Sequence, residues 1–379
     1  MIVAGGLYRE ECIRPHWSRI FGSGGRAAAA VSLVSPGSGL VAYACRRWLS
    51  DIRHSMGAFG VETELQEIEA DIAFHYLHPL SVPELSDCPP PSHPPLSARG
   101  DVVLRFGFVE GSARIEARRA VYDPQNANEV LRFHENGSTT DRLAIVLNDS
   151  ELESSTGYNG EAGARALMSR CGAEVVVVKG GPFGALVVDA AGTSKVPAYA
   201  SQSVFKIGSG DVFSAVFCHL WGERELTAAD AADAASRSVA RYVESRNVQV
   251  RSVDLLADSG RPLSPTPQPI YLAGPFFTLA QRWLVEEARD CLHKLGARTF
   301  SPIHEVGSHG DAGVIADLDL RGLESCRAVL ALIDGEDAGT LFEIGYARKL
   351  RIPVVALAES PRPESLTMLL GTGCQVTSD

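Results

Sequence analysis

The carboxylate of Glu343 is the first candidate for chemistry, because it interrupts a segment that otherwise has the pattern of a buried helix. That segment, residues 336–353, reads EDAGTLFEIGYARKLRIP. Thr340 and Glu343 fit the S/T-x-x-E capping box, in which a glutamate returns to the first amide of its own helix. The alternative is a catalytic carboxylate supported by other acids, for which Asp319 and Asp337 are the candidates. The motif alone leaves both interpretations open.

The polar residues of the last third of the chain follow three strand-like runs, IYLAG, ARTF and AVLALI. In open α/β sheets, ligands bind in the crevice outside the carboxyl ends of the strands. We therefore predict that the residues after these runs contact a substrate. The predicted substrate-binding residues are Gly274, Pro275, Phe276, Ser301, His304, Asp334, Gly339 and Thr340.

Strand-like and helix-like segments alternate in both halves of the chain. In the first half, LAIVLND is followed by GEAGARALMSRCG and then by EVVVVKGG. In the second half, IYLAG is followed by LAQRWLVEEARDCLHKLG, and AVLALID by TLFEIGYARKL. Strands that alternate with helices imply parallel sheets covered on both faces. The predicted fold class is α/β, with two doubly wound parallel-sheet domains.

Two proline-rich stretches are the candidate connectors. Residues 87–100 (DCPPPSHPPLSARG) are predicted to form a surface loop within the first domain, because proline is excluded from helix interiors and central strands. Residues 258–269 (DSGRPLSPTPQP) immediately precede the strand-like IYLAG and are the better boundary. We predict one domain at residues 1–260 and a second at residues 268–379.

Composition restricts the class of protein. The 379 residues carry a formal net charge of −11 without a basic cluster, which argues against nucleic acid as a partner. The eight cysteines are scattered and lack the spacing of zinc ligands, so we expect reduced thiols and no metal site. No stretch approaches the roughly 18 apolar residues of a membrane span, and the N-terminus lacks the layout of a signal peptide. We expect a cytoplasmic protein that does not bind membranes.

Three motifs of the last third occur with a distinctive spacing. They are Tyr271-Leu-Ala-Gly274, Asp319-Leu-Arg-Gly-Leu, and the run Asp337-Ala-Gly-Thr-Leu-Phe-Glu343-Ile-Gly-Tyr-Ala. On these motifs, residues 269–360 resemble the nucleoside 2-deoxyribosyltransferase family and its relatives that hydrolyse nucleotide N-glycosidic bonds. In that family the first motif opens the pocket, the second supplies an aspartate and the third carries the nucleophilic glutamate. The resemblance implies a flavodoxin- or Rossmann-like domain that needs no cofactor.

The chemistry of such a reaction explains the residue types. Cleavage of a glycosidic bond passes through an oxocarbenium-like state, which a carboxylate stabilises and can trap as a sugar ester. The resemblance makes Glu343 the nucleophile and Tyr271 its hydroxyl partner, and it leaves Asp319 or Asp337 to protonate the leaving nitrogen. At the first turn of a helix Glu343 is expected to stay ionised. His304 is expected either to contact a 5′-phosphate or to pack as a neutral loop residue.

A glycine-rich turn in the segment VFKIGSGDVFSAVFCHLW, residues 204–221, is the second candidate site. A Gly-Ser-Gly turn that leads into a helix directs backbone amides at one point and can bind an anion. The same pattern also fits an ordinary glycine-rich helix start with Asp211 as the partner of the helix dipole. The predicted phosphate-binding residues are Gly208, Ser209 and Gly210.

This turn follows three further motifs in order: VYDPQNA at residues 121–127, LNDSEL at 147–152 and VVVVKGGPFGALVVD at 175–189. With them, residues 120–245 resemble the ribokinase-like, PfkB-type carbohydrate kinases. In that family the glycine turn holds the phosphate in transfer, and the aspartate deprotonates the substrate hydroxyl.

The resemblance therefore implies roles for five residues of the first domain. Asp211 would be the base, Asn148 and Glu151 would lie near Mg²⁺ and the phosphates, and Gly181 and Gly184 would lie near the nucleotide. ATP and Mg²⁺ are the expected cofactors of this domain.

Several positions depart from the pattern of that family. The Asp-Thr-Thr ahead of the turn is replaced by Phe-Lys-Ile, and the early substrate-binding aspartate by Glu10 or Glu11. Gly24-Gly25 is kept, but an alanine replaces the asparagine that usually contacts the sugar. The match is thin over residues 35–120, which predicts a missing lid. Kinase activity and a degenerate nucleotide-binding or scaffolding domain both remain open.

The sequence thus predicts N-glycosidic bond cleavage, by hydrolysis or base exchange, of a nucleoside or nucleoside 5′-monophosphate. The first domain is predicted to phosphorylate or bind a related nucleoside or sugar. The alternative is a non-catalytic nucleotide sensor or scaffold, acting in stress or phage response. The expected partners are small-molecule nucleosides or nucleotides and further copies of the same chain.

Overall fold

A computed structural model describes residues 1–87, 93–125, 132–256, 260–264, 268–307 and 309–378. Part of the predicted proline-rich loop and part of the predicted connector lie outside these residues. The chain divides into two compact units, Met1–Leu263 and Ser264–Asp379. Each unit contains hydrophobic clusters of its own.

Strands and helices alternate through the N-terminal unit. Its strands are β1 (Ile2–Ala4), β2 (Arg9–Cys12), β3 (Trp17–Ile20), β4 (Gly39–Cys45), β5 (Glu62–Ile68), β6 (Ala73–Tyr76), β7 (Glu84–Ser86), β8 (Leu96–Phe106), β9 (Ala113–Asp123), β10 (Thr139–Asn148), β11 (Val175–Lys179), β12 (Ala185–Asp189) and β13 (Gly192–Val196). Its helices are α1 (Gly22–Val31), α2 (Leu49–Ala58), α3 (Asp149–Thr156), α4 (Gly160–Cys171), α5 (Ser209–Phe217), α6 (Ala228–Ser245) and α7 (Ser252–Leu256). Short 3-10 turns lie at Arg46–Trp48, Phe133–Asn136 and Gly181–Phe183, and a π-helical turn at Cys218–Glu223 follows α5.

Within the described residues, the main sheet of this unit has nine strands in the order β13-β12-β11-β10-β9-β8-β1-β4-β5. The strands from β11 to β5 pair in parallel, and β12 and β13 add an antiparallel edge. Strand β11 shows why the sheet forms, because its four consecutive valines are all buried. Such continuous apolar runs are typical of parallel strands covered on both faces. The predicted α/β class is confirmed for this unit.

A second, smaller sheet of this unit has the order β3-β2-β6-β7. It includes two strands from the thinly matched region of residues 35–120, β6 and β7. Its strands are short and half-exposed, which gives weak sequence signals. Residues 87–100 also differ from the predicted loop, because β8 starts at Leu96 and pairs with β9.

The C-terminal unit is a smaller α/β sandwich. Its strands are β14 (Ile270–Ala273), β15 (Thr299–Phe300), β16 (Ala328–Leu332), β17 (Val354–Leu357) and β18 (Gln375–Thr377). Its helices are α8 (Leu279–Lys294), α9 (Pro302–Glu305), α10 (Ala312–Glu324), α11 (Ala338–Lys349) and α12 (Thr367–Gly371), with a 3-10 turn at Pro363–Leu366.

Its strands, as far as the structure describes them, form one parallel sheet in the order β15-β14-β16-β17-β18. The predicted doubly wound α/β fold is thus confirmed for both units. The carboxyl ends of β14, β15 and β16 lie along one edge of this sheet, where the predicted site residues are. None of the helices in the described part of the chain is long and apolar enough to cross a lipid bilayer.

Helix α1 offers a test of how closely the N-terminal unit is packed. All ten of its residues are buried, and a Cβ at Gly24 would lie 2.5 Å from the Gly5 carbonyl oxygen. We expect Gly24→Ala to lower the free energy of unfolding by about 1–3 kcal/mol, because the backbone at Gly5, directly after β1, must move. The matched control is Gly57→Ala in α2, where a Cβ would meet no atom within 4 Å. That change should leave stability unaltered or raise it by up to about 1 kcal/mol in urea unfolding.

Candidate active site

Helix α11 starts one residue after Asp337, which is its N-cap. The Asp337 carboxylate accepts hydrogen bonds from the Thr340 amide at 2.8 Å and from the Thr340 hydroxyl at 3.0 Å. Thr340 is therefore in the first turn of the helix, and its hydroxyl does not cap the helix. The capping-box interpretation of Thr340 and Glu343 is wrong, because the aspartate three residues earlier already caps the helix start.

Glu343 lies in the second turn of α11 and bonds to the neighbouring strand. Its Oε1 accepts a hydrogen bond from the Tyr271 hydroxyl at 2.6 Å. The Tyr271 ring is completely buried in β14 and stacks on Phe300, with ring centroids 5.5 Å apart. A carboxylate that packs onto its own helix end could not make this bond. The structure therefore separates Glu343 from a capping role.

Burial raises the pKa of Glu343 to about 7, although the hydrogen bond from Tyr271 opposes the shift. The negative charges of Asp319 and Asp337 raise it further. The expectation that Glu343 stays fully ionised is therefore not met. The reason is its depth, since the second turn is beyond the free amides of the helix start and is poorly solvated. Burial and the charge of Glu343 in turn raise the pKa of Tyr271.

Asp319 reaches the same place from α10. Its Oδ1 is buried and has no hydrogen-bond partner within the described residues. Burial raises the pKa of its carboxyl group. The negative charge of Asp319 raises the pKa of both Glu343 and Tyr271. A buried carboxyl group without a partner is favoured in its protonated form and can donate a proton.

His304 is held by neighbouring side chains. Its Nδ1 lies 3.0 Å from the Ser301 hydroxyl, and its Nε2 lies 2.9 Å from the Glu286 carboxylate of α8. Glu286 also accepts a hydrogen bond from Arg282 at 2.8 Å. His304 could contact a phosphate only after leaving this carboxylate. The sequence analysis did not identify Glu286, which has no signal beyond its place in an amphipathic helix.

The other predicted substrate-binding residues follow the strand ends. Both Asp334 oxygens accept hydrogen bonds from backbone amides, Glu359 at 2.8 Å and Ser360 at 2.9 Å, so this carboxylate fixes the loop after β17. Gly274 and Pro275 directly follow β14, and a Cβ at Gly274 would crowd Leu332 at 3.0 Å. The remaining residues of the set are Phe276, which lies between β14 and α8, and Gly339, in the first turn of α11.

The glycine turn of the N-terminal unit lies beside a lysine. Gly208, with φ of +76°, is the N-cap of α5, and Ser209 and Gly210 form its first turn. A Cβ at Gly210 would lie 3.5 Å from the Lys179 Nζ at the end of β11. Burial would lower the pKa of Lys179, but nearby carboxylates, chiefly Asp123, raise it above its usual value. The Lys179 ammonium donates to Asp123 at 2.6 Å.

The residues predicted to surround Mg²⁺ and the nucleotide make local bonds. The Asn148 side chain accepts from the Glu151 amide at 2.9 Å, and the Glu151 carboxylate accepts from the Asn148 amide at 2.8 Å. This reciprocal pair is the capping box of α3. Gly181 and Gly184 lie in the tight turn between β11 and β12.

Asp211 accepts hydrogen bonds on both carboxylate oxygens. Oδ2 accepts from the Arg26 guanidinium at 2.8 Å, and Oδ1 accepts from the Gln125 side chain at 2.9 Å. Burial raises the pKa of Asp211 to about 6, although the charge of Arg26 opposes the shift. Arg26 also pairs with Glu10, whereas Glu11 pairs with Arg9. Glu10 is therefore the acidic residue that faces Asp211.

Sequence reasoning missed Arg26. The available signal was its isolation, since it is the only charged residue in the helical run GSGGRAAAAV. A charge in an otherwise apolar, buried helix requires an ionic partner elsewhere in the fold. The partner could not be named from the sequence.

Two family models match the chain, one in each unit. Residues 143–254 match the pfkB family carbohydrate kinase model, and residues 270–378 match the nucleoside 2-deoxyribosyltransferase model. Each unit therefore contains a segment that matches the model of a different enzyme family. Both recognised resemblances are confirmed.

Several solved ribokinase-family structures are similar to the chain. The nucleoside kinase of Burkholderia thailandensis in complex with inosine has 15% identity and a TM-score of 0.48, covering 67% of this chain and 95% of that one. The phosphofructokinase-2 of Escherichia coli has 13% identity and a TM-score of 0.49, covering 68% and 97%. A PfkB protein from Polaromonas sp. JS666 has 15% identity and a TM-score of 0.49, covering 68% and 98%. The search of curated proteins returned no match.

The bond from Tyr271 should hold down the pKa of Glu343. We expect Tyr271→Phe to raise this pKa by about 1–2 units, because a hydrogen bond to the charged form is lost. Asp319→Asn should lower it, because a negative charge disappears. Carbon-13 NMR titration of labelled glutamate would measure both shifts. The control is Tyr346→Phe, since Tyr346 bonds the exposed Glu324 at 2.6 Å and should not affect Glu343.

The raised pKa of Glu343 also predicts a pH-dependent stability difference. A carboxyl group with a higher pKa in the folded state contributes stability below its unfolded pKa, and that contribution is lost as pH rises through about 7. We therefore expect Glu343→Gln to be more stable than the wild type at pH 8.5, by about 1–3 kcal/mol, and to lose this advantage at pH 5. Calorimetry at both pH values measures it. The stability difference between Glu343→Gln and the wild type should be larger at pH 8.5 than at pH 5. A smaller difference at pH 8.5 would contradict the burial of Glu343.

Proposed function

We propose that the C-terminal unit cleaves the N-glycosidic bond of a nucleoside or nucleoside 5′-monophosphate, with Glu343 as the nucleophile. The observation that carries this proposal is the set of Glu343, Tyr271 and Asp319, brought together from one strand and two helices. Glu343 does not cap its helix, and the Oδ1 of Asp319 has no hydrogen-bond partner among the described residues. The match of residues 270–378 to the nucleoside 2-deoxyribosyltransferase model supports the same chemistry.

Glu343 would attack the anomeric carbon. Tyr271 binds Oε1, so Oε2 is left to form the bond to the sugar. The hydroxyl of Tyr271 stabilises the carboxylate and fixes its orientation, which keeps the attacking oxygen aligned in the encounter with substrate. The electron pair of the broken C–N bond leaves with the base, and the sugar remains as an ester of Glu343. Water or a second base then resolves the ester, giving hydrolysis or base exchange.

Asp319 would protonate the leaving nitrogen. Burial raises its pKa toward the range in which it can hold a proton, and its Oδ1 has no hydrogen-bond partner among the described residues. Asp337 was the other candidate for this proton transfer. Its carboxylate is committed to the Thr340 amide and hydroxyl, so Asp319 is the better acid. Glycosidic cleavage requires one ionised carboxylate as nucleophile and one protonated carboxyl group as acid.

The test is release of free base by the purified full chain. A panel of ribonucleosides, deoxyribonucleosides and their 5′-monophosphates is incubated with and without a second base, and products are separated by liquid chromatography. We expect Glu343→Gln to lower turnover by at least about 10³-fold, because the covalent step is lost. Glu324→Gln, a change to an exposed glutamate of α10, is the matched control and should retain activity. No base release from any compound, or equal turnover by the Gln variant, excludes the proposal.

The pH dependence should report the ionisation of the nucleophile. Only the carboxylate form of Glu343 can attack, so the single-turnover rate should rise as this group ionises near pH 7, and it should fall where Asp319 loses the proton that the leaving nitrogen needs. In Tyr271→Phe the midpoint should move to higher pH. A rate that is flat between pH 5.5 and 8.5 would argue against Glu343 as the attacking group.

A further inference from the structure

A buried ionic network lies beside the glycine turn of the N-terminal unit. Asp123 is the last residue of β9 and Lys179 is the last residue of β11. Both strands pair in parallel with β10, so the two side chains lie at the same edge of the sheet. Oδ2 of Asp123 accepts hydrogen bonds from the Lys179 ammonium and from the Ser214 hydroxyl of α5, each at 2.6 Å. The network thus joins the ends of two strands to the helix that follows the glycine turn.

The ammonium of Lys179 faces the turn itself. A Cβ at Gly210, in the first turn of α5, would lie 3.5 Å from the Lys179 Nζ, which is ordinary van der Waals contact. An ammonium has three N–H donors, and Asp123 takes one of them. The Lys179 side chain is 18% exposed and that of Asp123 is 1% exposed. A ligand can therefore approach the cation, while the carboxylate lies beneath it.

The start of α5 adds backbone donors at the same place. Gly208 is the N-cap of this helix, and no side chain caps it. The first amides of an α-helix have no acceptor within the helix, and the helix dipole makes this end positive. An anion at the start of α5 would therefore meet backbone N–H groups and an ammonium together.

One atom of this network lacks a partner. Oδ1 of Asp123 is buried and accepts no hydrogen bond from any residue that the structure describes. A buried carboxylate oxygen without a donor costs stability, and a hydroxyl or a metal-bound water can serve as that donor. ATP and Mg²⁺, the cofactors that the kinase resemblance implies, fit these residues. Lys179 would bind a phosphate oxygen, and Asp123 would accept a hydrogen bond from a water of the cation.

Three carboxylates keep Lys179 in its charged form. Burial would lower its pKa, but the charges of Asp123, Glu151 and Asp211 raise it above its usual value. A buried lysine without acidic neighbours tends to lose its proton and with it the attraction for an anion. Because Asp123 also accepts the hydrogen bond from Lys179, it fixes the position of the cation as well as its charge.

We propose that Lys179 is a phosphate ligand of the N-terminal unit and that Asp123 is its positioning residue. The phosphate group, of a nucleotide or of a free phosphate chain such as pyrophosphate, bonds to the ammonium and to the first amides of α5. The glycine turn was predicted from its sequence, whereas neither charged residue was. Such binding is independent of the activity proposed for the C-terminal unit.

The first test measures binding of pyrophosphate, inorganic phosphate and ATP to the full chain by isothermal titration calorimetry in a buffer with Mg²⁺. Pyrophosphate is the main probe, because it has no sugar or base that could bind the C-terminal unit. We expect Lys179→Met to weaken its binding by at least about tenfold, because charge-assisted hydrogen bonds are lost. The matched control is Lys195→Met, at an exposed position of β13, which should bind as the wild type does.

The three probes also separate the sources of the phosphate group. Tighter binding of ATP than of pyrophosphate identifies a nucleotide, and equal binding identifies a phosphate chain alone. Both results support the proposal if Lys179→Met weakens them. No binding of any probe by the wild type, or equal binding by Lys179→Met, would overturn it.

The second test uses a double variant, because Lys179→Met alone leaves the buried charge of Asp123 without its partner and destabilises the fold. Lys179→Met/Asp123→Asn removes both charges and keeps the net charge of the network. We expect this variant to retain the far-ultraviolet circular dichroism of the wild type and to lose pyrophosphate binding. A folded double variant that binds pyrophosphate as tightly as the wild type would exclude Lys179 as a ligand.

The third test separates positioning from binding. Asp123→Asn keeps an oxygen acceptor but removes the negative charge, so the pKa of Lys179 should fall in a carbon-13 NMR titration of labelled lysine. Pyrophosphate affinity should then decline at a lower pH than in the wild type, which a purely structural role of Asp123 does not predict. An unchanged lysine pKa together with an unchanged pH profile would refute the positioning role.

Discussion

The cost of burying a charged group is the constraint on which both sites depend. A carboxylate or guanidinium removed from water must find hydrogen bonds or an opposite charge, or else its pKa shifts toward the neutral form. Glu343 lies within helix α11 and Arg26 within helix α1. Each is satisfied by a residue distant in sequence, Tyr271 in one unit and Glu10 with Asp211 in the other. The fold of each unit thus brings in the partners that the neighbouring residues in the sequence do not provide.

Glu343 and Asp211 are the buried carboxylates of the two candidate sites, and they differ in their partners. Glu343 accepts a hydrogen bond from Tyr271 and has acidic neighbours, and burial raises its pKa to about 7. Asp211 accepts two hydrogen bonds, one of them from the buried Arg26, and burial raises its pKa to about 6. Burial therefore brings both groups close to neutrality, where a carboxyl group can exchange a proton.

The sequence predicted most elements of the C-terminal unit, because helix and strand periodicities are local. The strands around Tyr271 and the helix around Glu343 were both placed correctly in type. The start of that helix was misjudged because Asp337 and Thr340 are both good N-caps, and only the path of the chain decides between them. The bonds of Arg26 to Glu10 and Asp211 join residues 16 and 185 positions apart, which no periodicity reveals. Short strands of the small sheet were missed for the same reason.

Both units place polar side chains at the carboxyl ends of parallel strands, where loops and helix starts leave backbone groups open. In the C-terminal unit the buried Oδ1 of Asp319 has no hydrogen-bond partner among the described residues. In the N-terminal unit the buried Oδ1 of Asp123 also has none, although the other oxygen of Asp123 accepts hydrogen bonds from Lys179 and Ser214. A buried polar group without a partner costs stability, and a ligand atom that bonds to it recovers part of that cost.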